Sequence, residues 1–415
     1  MEAFDVLLTR YAQLIVQHGL NIQAGQPLII SAEVAHRNLA FKVAEAAYRN
    51  GAKHVTLDLS DPRLQRLKVQ HATLDQMKYV PRFVGPKYDE LVEDIGANLK
   101  IVGPEDPDVL KGLDPSKINA GRMANYHAVK RLYEEGIDKS RVHWTVVAAA
   151  TPGWALRVFP HLSPQEAEKK LWENLFSICR VDKPDFLEAW KKHNKLLHER
   201  ARALSELQIE TLHFTGPGTD LLVGLSPRAI FKGGSDTSPR GVDFEPNLPT
   251  EECFTTPDWR KTTGTVSATR PFFINGTLIK GLWLRFERGE IAEFRAESGE
   301  ATFREYISSD EGGKRLGEVA LVGIDSPVYR SGLVFEEILL DENAACHIAV
   351  GSAYKFCLKD SADLSKEALD EIGCNESSVH TDMMISSEQV DVVAELRDGS
   401  SSTLIRKGEW TTLAR

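Results

Sequence analysis

The sequence predicts an α/β arrangement followed by an α+β one. An N-terminal α/β domain with a mainly parallel sheet is expected over residues 1–208, ending in a helical bridge, and a strand-rich domain over residues 209–415. Three observations carry this. Apolar runs of strand length alternate with helical stripes through the first half, and a long charged helical stretch spans Ser163 to Leu207. Beyond it the apolar residues fall into short alternating runs broken by Gly, Asn and Pro.

In chain order, Leu7, Leu8, Tyr11, Leu14 and Ile15 recur at helical spacing between Phe4 and Gly19, and Gly25-Gln26-Pro27 turns the chain. Pro27 to Ile30 reads as a buried strand. The stripe Leu39, Val43, Ala46, Ala47 makes His36 to Asn50 a helix stopped by Gly51, and His54 to Leu59 follows as a strand, completing a βαβ unit. A second unit is expected from a strand at Leu99–Val102, a helix over Ala120–Gly136 and a strand at His143–Ala149. The bridge starts at Ser163-Pro164-Gln165-Glu166, where the serine can cap the first turn and the glutamate can reach back. Strands are then expected at Thr211–Phe214, Leu221–Leu225, Thr265–Ala268, Gly281–Phe286 and Ile291–Ala296.

Bulk properties exclude several functions. At roughly 150 residues per domain, 415 residues give two or three domains with real cores, the size of an enzyme more than of an adaptor. No apolar stretch approaches the roughly 20 residues that span a bilayer, so no membrane partner is expected. The first ten residues carry Glu2, Asp5 and Arg10 and lack the basic start and apolar run of a secretory leader, so a cytoplasmic location is expected. A net charge of −10 disfavours nucleic acid. Five cysteines without a CxxC pair argue against a disulfide framework and a thiolate zinc site, leaving oxygen and nitrogen as metal ligands.

Only three histidines, His213, His347 and His380, follow the bridge. His347 precedes an apolar run leading to Gly351 and Tyr354. His380 and Asp382, two apart on an expected strand, project to one face. Carboxylates to complete a site are available at Glu251-Glu252 and at Glu318, which stands among apolar residues and Gly. A buried unpaired carboxylate is costly, and a metal ion is one partner that offsets it. Such a mixed set suits Zn²⁺, Co²⁺ or Mn²⁺ and can hold two ions through a bridging carboxylate. Taken singly, each residue also has an ordinary reading: Glu318 as a structural ion-pair partner, His347 and His380 as hydrogen-bonded core histidines, Tyr354 as packing, Glu251-Glu252 as solvated charge.

Four segments in order, Asn247–Thr255, Gly317–Val322, Asp341–Ala349 and Val379–Asp382, resemble the thermophilic-type metallo-aminopeptidases, the aminopeptidase T and aminopeptidase S family, along nearly the whole chain. The resemblance implies metal ligation by Glu252, Glu318, His347, His380 and Asp382, with Glu318 as the bridge and Tyr354 close to the metals. It makes residues 209–415 a catalytic, metal-binding domain. Cys253 stands where the family has an aliphatic residue, and Met383 and Ser386 where it has Phe and Gly; these touch packing and leave every implied ligand in place. The expected activity is removal of the N-terminal residue from short peptides, by water activated at two divalent ions, Zn²⁺ or Co²⁺ with Mn²⁺ or Mg²⁺ as alternatives. Glu251 is the candidate general base and Tyr354 the candidate donor to the developing oxyanion or the leaving amine. A homodimer is also implied. Two rivals stand beside this: another dinuclear hydrolase, an amidohydrolase or a phosphoesterase, and a non-enzymatic protein whose N-terminal βαβ unit holds a small ligand. The chain has no P-loop beside these segments, and that unit lacks GxGxxG.

Overall fold

A computed structural model of the chain describes residues 3–361 and 364–411. The chain forms two units, residues up to Trp190 with Ser235–Pro249, and Lys191–Gly234 with Thr250 onward. Compactness thus divides the chain inside the long helix Phe186–Glu206 and returns a short loop to the first unit, whereas the change of sequence periodicity falls near residue 208.

In the first unit five strands lie parallel in the order His54–Ser60, Pro27–Glu33, Ala97–Val102, His143–Ala148 and Asn247–Leu248. Parallel neighbours require crossovers. The first is the helix Arg37–Arg49, which buries Leu39, Val43, Ala46 and Ala47 as the stripe requires. The helices Pro62–His71, Leu74–Met77, Val84–Glu93 and Pro152–Val158 stand where periodicity indicates no element. The reason is clearest at Pro62–His71, which buries only Val69 and takes its start from Asp61, whose side chain accepts from the Arg63 amide. The helix expected over Ala120–Gly136 is present as Pro115–Ala128, which buries none of its residues, followed by the π-helical turn Leu132–Ile137, which buries Leu132 and Gly136. The capping box predicted at Ser163 is present, with the Ser163 amide donating to Glu166 and the Glu166 amide to Ser163.

Ligands of open parallel sheets enter beyond the carboxyl ends of the strands where strand order reverses, here between Pro27–Glu33 and Ala97–Val102. The chain itself occupies that position. Glu33 Oε2 accepts from the Glu105 amide at 2.9 Å, and the His36 ring accepts from the Glu33 amide at 3.3 Å and donates to the Gly103 carbonyl at 2.6 Å.

In the second unit, an eight-stranded antiparallel sheet runs in the order Glu290–Arg295, Trp283–Glu287, Pro257–Ser267, Thr219–Leu225, Ile209–Gly216, Asp391–Leu396, Ser401–Arg406 and Glu409–Trp410. Each strand expected in this half overlaps one of these. A second antiparallel sheet has four strands, Cys253–Thr255, Leu316–Leu321, His347–Gly351 and His380–Met384. One core joins the two: Leu212, Phe214, Leu221 and Val392 from the larger sheet, Val319, Leu321, Ile348 and Val350 from the smaller, with Leu197, Ala201 and Leu204 from the helix.

Candidate metal centre

Alternation gives the four-stranded sheet two unlike faces. Cys253, Val319, Leu321, Ile348, Val350 and Met383 enter the core. The opposite face carries Phe254, Glu318, Ala320, His347, Ala349 and Asp382. Their alignment follows from the register, in which Phe254 and His347 both sit opposite Ala320, and Glu318 and Asp382 both sit opposite Ala349. His380, two residues before Asp382, shares this face. Two alanines among the polar side chains leave space above the sheet.

Glu318 reaches that face through a bulge. Leu316 lies opposite Val350 but Glu318 lies opposite Ala349, so the strand holds one extra residue, Gly317. In a regular strand Leu316 and Glu318 would face the same way; the inserted residue sends Leu316 to the core and Glu318 to the other side. Only glycine fits there, because a Cβ at Gly317 would lie 2.2 Å from the Ser352 carbonyl oxygen and 2.4 Å from that of Gly351.

The side chains form two clusters, Glu252-Glu318-His347 and Glu318-His380-Asp382, each with ligand atoms close enough to hold one ion. Glu318 belongs to both: its Oε1 lies 4.0 Å from His347 Nε2 and its Oε2 3.3 Å from His380 Nε2. Glu252 Oε2 stands 3.1 Å from His347 Nε2, and Asp382 Oδ1 3.6 Å from His380 Nε2. The far nitrogen of each ring contacts a backbone carbonyl, His347 Nδ1 that of Ala345 at 3.2 Å and His380 Nδ1 that of Ser352 at 2.8 Å. Such contacts fix ring orientation and aim Nε2 at the carboxylates. The Tyr306 hydroxyl donates to the His380 carbonyl at 2.8 Å and accepts from its amide at 3.1 Å, fixing the backbone there.

Negative charge dominates. Burial, reinforced by Asp382 and Glu252, pushes the Glu318 carboxyl up to about 7 against the pull of His380. Burial favours the neutral forms of His347 and His380. Glu252, Asp382 and Glu318 outweigh it at His347, Asp382 and Glu318 outweigh it at His380, and both rings titrate well above the usual imidazole range. Burial also works against ionisation of Asp382, yet His380 and His347 hold it below the usual carboxylate range. Tyr354 is 37% exposed, and its ring lies 5.1 Å from that of His380. Its hydroxyl end is crowded by desolvating atoms and by Glu318, Asp382, Glu342 and Glu252, so its pKa stands well above the usual phenol value. The exposure therefore belongs to the rest of the residue.

The family described as thermophilic metalloprotease (M29) matches residues 4–410. The chain belongs to this family. Among the metalloprotease's relatives, aminopeptidase T of Thermus thermophilus is 41% identical over 99% of this chain and 100% of its own length. Aminopeptidase 2 of Geobacillus stearothermophilus is 39% identical over 99% of each, and aminopeptidase AmpS of Bacillus subtilis is 37% identical over 99% of this chain and all of its own length. The solved structure titled wild-type AmpT from Thermus thermophilus superposes with a TM-score of 0.92, at 40% identity over 99% of this chain and 100% of that one.

The donor set of this metalloprotease fits divalent ions. Glu252 Oε2 and Asp382 Oδ1 are buried without a hydrogen bond, and carboxylates outnumber imidazoles among the clustered groups. Bare carboxylates in that enclosure repel one another, and cations would offset the repulsion. Of the residues singled out from sequence, Glu252, Glu318, His347, His380 and Asp382 come together, with Tyr354 beside them. Glu251 does not join them. Its Oε2 lies 3.4 Å from His193 Nε2, which also contacts the Thr250 carbonyl at 2.8 Å. Sequence reasoning passed over Glu342. Its carboxyl is enclosed and raised well above the usual range, by burial and then by Glu252, Asp382 and Glu318, so it borders the cluster. The signal was a carboxylate five residues before His347 in a segment already marked by a histidine.

Proposed function

We propose that this metalloprotease is an aminopeptidase with a two-metal site, removing the N-terminal residue from short peptides with a free amino terminus. One observation carries the reading: Glu318 offers one carboxylate oxygen to each of two clusters on a single sheet face. Glu252, Glu318 and His347 would hold one ion and Glu318, His380 and Asp382 the other. The mixed oxygen and nitrogen donors favour Zn²⁺ or Co²⁺, with Mn²⁺ or Mg²⁺ as alternatives. When bound, such ions supply Lewis acidity at the scissile carbonyl and acidify the attacking water.

The protein's own groups do the rest. The Tyr354 hydroxyl keeps its proton at neutral pH and can donate to the developing oxyanion or the leaving amine. The base role expected of Glu251 is not supported by its placement, since its carboxylate meets His193 at 3.4 Å outside the two clusters while its own amide donates to Asn343 Oδ1 at 2.7 Å. Cytoplasmic residence is supported by five buried cysteines that form no disulfide with one another, as a reducing compartment leaves them. Among the described residues no helix is long and apolar enough to cross a membrane. The names of the relatives support peptide substrates. The proposed homodimer is tested by sedimentation, where a monomer contradicts it.

The decisive experiment measures hydrolysis of leucyl and arginyl anilides, with N-acetylated counterparts as controls, alongside divalent-metal content before and after chelation. Hydrolysis of the free-amine substrates alone, lost with the metal and restored by its return, supports the reading. Equal hydrolysis of blocked substrates, or full activity without metal, overturns it.

A further inference from the structure

Beside the cluster stand three aromatic rings that the proposed chemistry does not use as a group. Phe254 shares the sheet face of Glu318 and His347. Its ring meets Tyr354 edge-on at 5.9 Å and Phe356 edge-on at 6.2 Å, while Tyr354 and Phe356 stack at 5.1 Å. Tyr354 in turn touches His380. The rings therefore form a continuous apolar surface ending at a candidate ligand, and it is open: Phe356 is 40% exposed and Phe254 half-buried.

The backbone beneath is held firmly. The Thr256 hydroxyl donates to the Tyr354 carbonyl at 2.7 Å, the Ser361 hydroxyl to that of Lys355 at 2.6 Å, and the Ile230 amide to that of Cys357 at 2.9 Å. Phe254 exchanges backbone hydrogen bonds of 2.9 Å with Lys232 in both directions. A fixed, exposed aromatic surface costs hydration in the free protein, and single exposed apolar residues need no explanation whereas a contiguous group does. An aminopeptidase places one side chain, that of the N-terminal residue, next to the centre that binds the free amine. The surface ending at His380 is the apolar neighbour available to it.

We infer that Phe254 and Phe356 form the wall against which the substrate's N-terminal side chain packs, so that the enzyme selects large aliphatic and aromatic N-terminal residues over small ones. The inference rests on the aminopeptidase reading. Edge and face contacts with two rings, together with the area they cover, discriminate between a large side chain and a methyl by about tenfold or more.

The test compares kcat/KM of the metal-loaded enzyme for phenylalanyl, leucyl and alanyl anilides, and for dipeptides in which the second residue is varied instead. In Phe356→Ala, and separately in Phe254→Leu, the ratio of phenylalanyl to alanyl kcat/KM is expected to fall about tenfold, mainly through KM, with preference for the second residue unchanged. Phe356→Trp checks that the wall and not the fold is read, since it should keep the ratio high. An unchanged ratio in a folded, metal-loaded Phe356→Ala, or a loss confined to the second residue, overturns the inference and leaves the aminopeptidase reading standing. Failure of the unaltered enzyme on every free-amine substrate would instead strike that reading.

Discussion

Two regions of this molecule gather buried or half-buried acidic and imidazole groups, and they settle them in opposite ways. At the carboxyl ends of the parallel strands in the first unit, Glu33 finds the Glu105 amide and His36 finds the Glu33 amide and the Gly103 carbonyl. Burial raises the Glu33 carboxyl, and burial also lowers His36 so that its ring stays neutral, the state its two backbone contacts require. On the open face of the four-stranded sheet, backbone amides are engaged in strand pairing, and Glu252, Glu318 and Asp382 meet chiefly one another and two imidazoles. Both histidines there are driven above their usual range. Buried polar groups that partner with backbone close a crevice, whereas groups crowded together on a sheet face call for a cation.

The largest test of that contrast is Glu318→Gln. It keeps the shape but removes the charge shared by both clusters, and activity on leucyl anilide is expected to fall at least about a hundredfold with a matching loss of bound metal. Compared metal-free, the variant and the natural protein should differ little in melting temperature, because the buried charge is itself costly. Full activity with full metal content would break the comparison.

Chelation should separate the regions physically. At a metal concentration about a hundredfold above Kd each bound ion would add roughly 2.7 kcal/mol. Their removal should therefore speed amide exchange in Leu316–Leu321, His347–Gly351 and His380–Met384 while leaving Pro27–Glu33 and Ala97–Val102 unchanged. Uniform loss of protection across both sheets would contradict it.

Asp341 sharpens the distinction within the second unit, since it is buried yet accepts from the Phe335 amide at 2.9 Å and the Glu337 amide at 3.3 Å. Burial still pushes its carboxyl up to about 6. The folded protein therefore holds this proton more tightly than the unfolded chain does. The stability it contributes is present below the ordinary carboxylate pKa and is lost as pH rises through about 6, a change on the order of 1–3 kcal/mol. Denaturant titrations of Asp341→Asn should show a flatter stability profile than the natural protein between about pH 4 and pH 6; parallel profiles would refute the assignment. The smallest effect is expected at Glu33→Ala. Losing the acceptor for Glu105 should cost about 1 kcal/mol of stability, read by denaturant, with kcat/KM unaltered.

Legibility followed burial. The helix Arg37–Arg49 and the strand Pro27–Glu33 were readable because each presents an apolar stripe or run to a core, and His54–Ser60 was readable from the alternation of Val55, Leu57 and Leu59 although none of its residues is fully buried. Pro62–His71 was not, because it buries one residue, and for Pro115–Ala128, which buries none, the helix was read but its start was misplaced. The two-residue strand Asn247–Leu248 is too short to carry a pattern and joins the first sheet only by pairing with Val146 and Val147. At the site, His380 and Asp382 shared a face by simple alternation, and Glu318 stood out as a charge in an apolar run. Glu342 did not, since its place five residues before His347 is a weak mark and its carboxyl becomes enclosed only when three other acids converge on it.

What the sequence by itself determined is the order of architectures and the residue types at the centre, because these depend on periodicity and on functional groups that survive in any conformation. Tertiary structure alone decided which oxygen faces which ring, the bulge at Gly317 that turns Glu318 out of the core, and the opposite fates of Glu251 and Glu252. Each of these depends on strand register, and a one-residue shift, which changes nothing in composition, exchanges the two faces of a sheet.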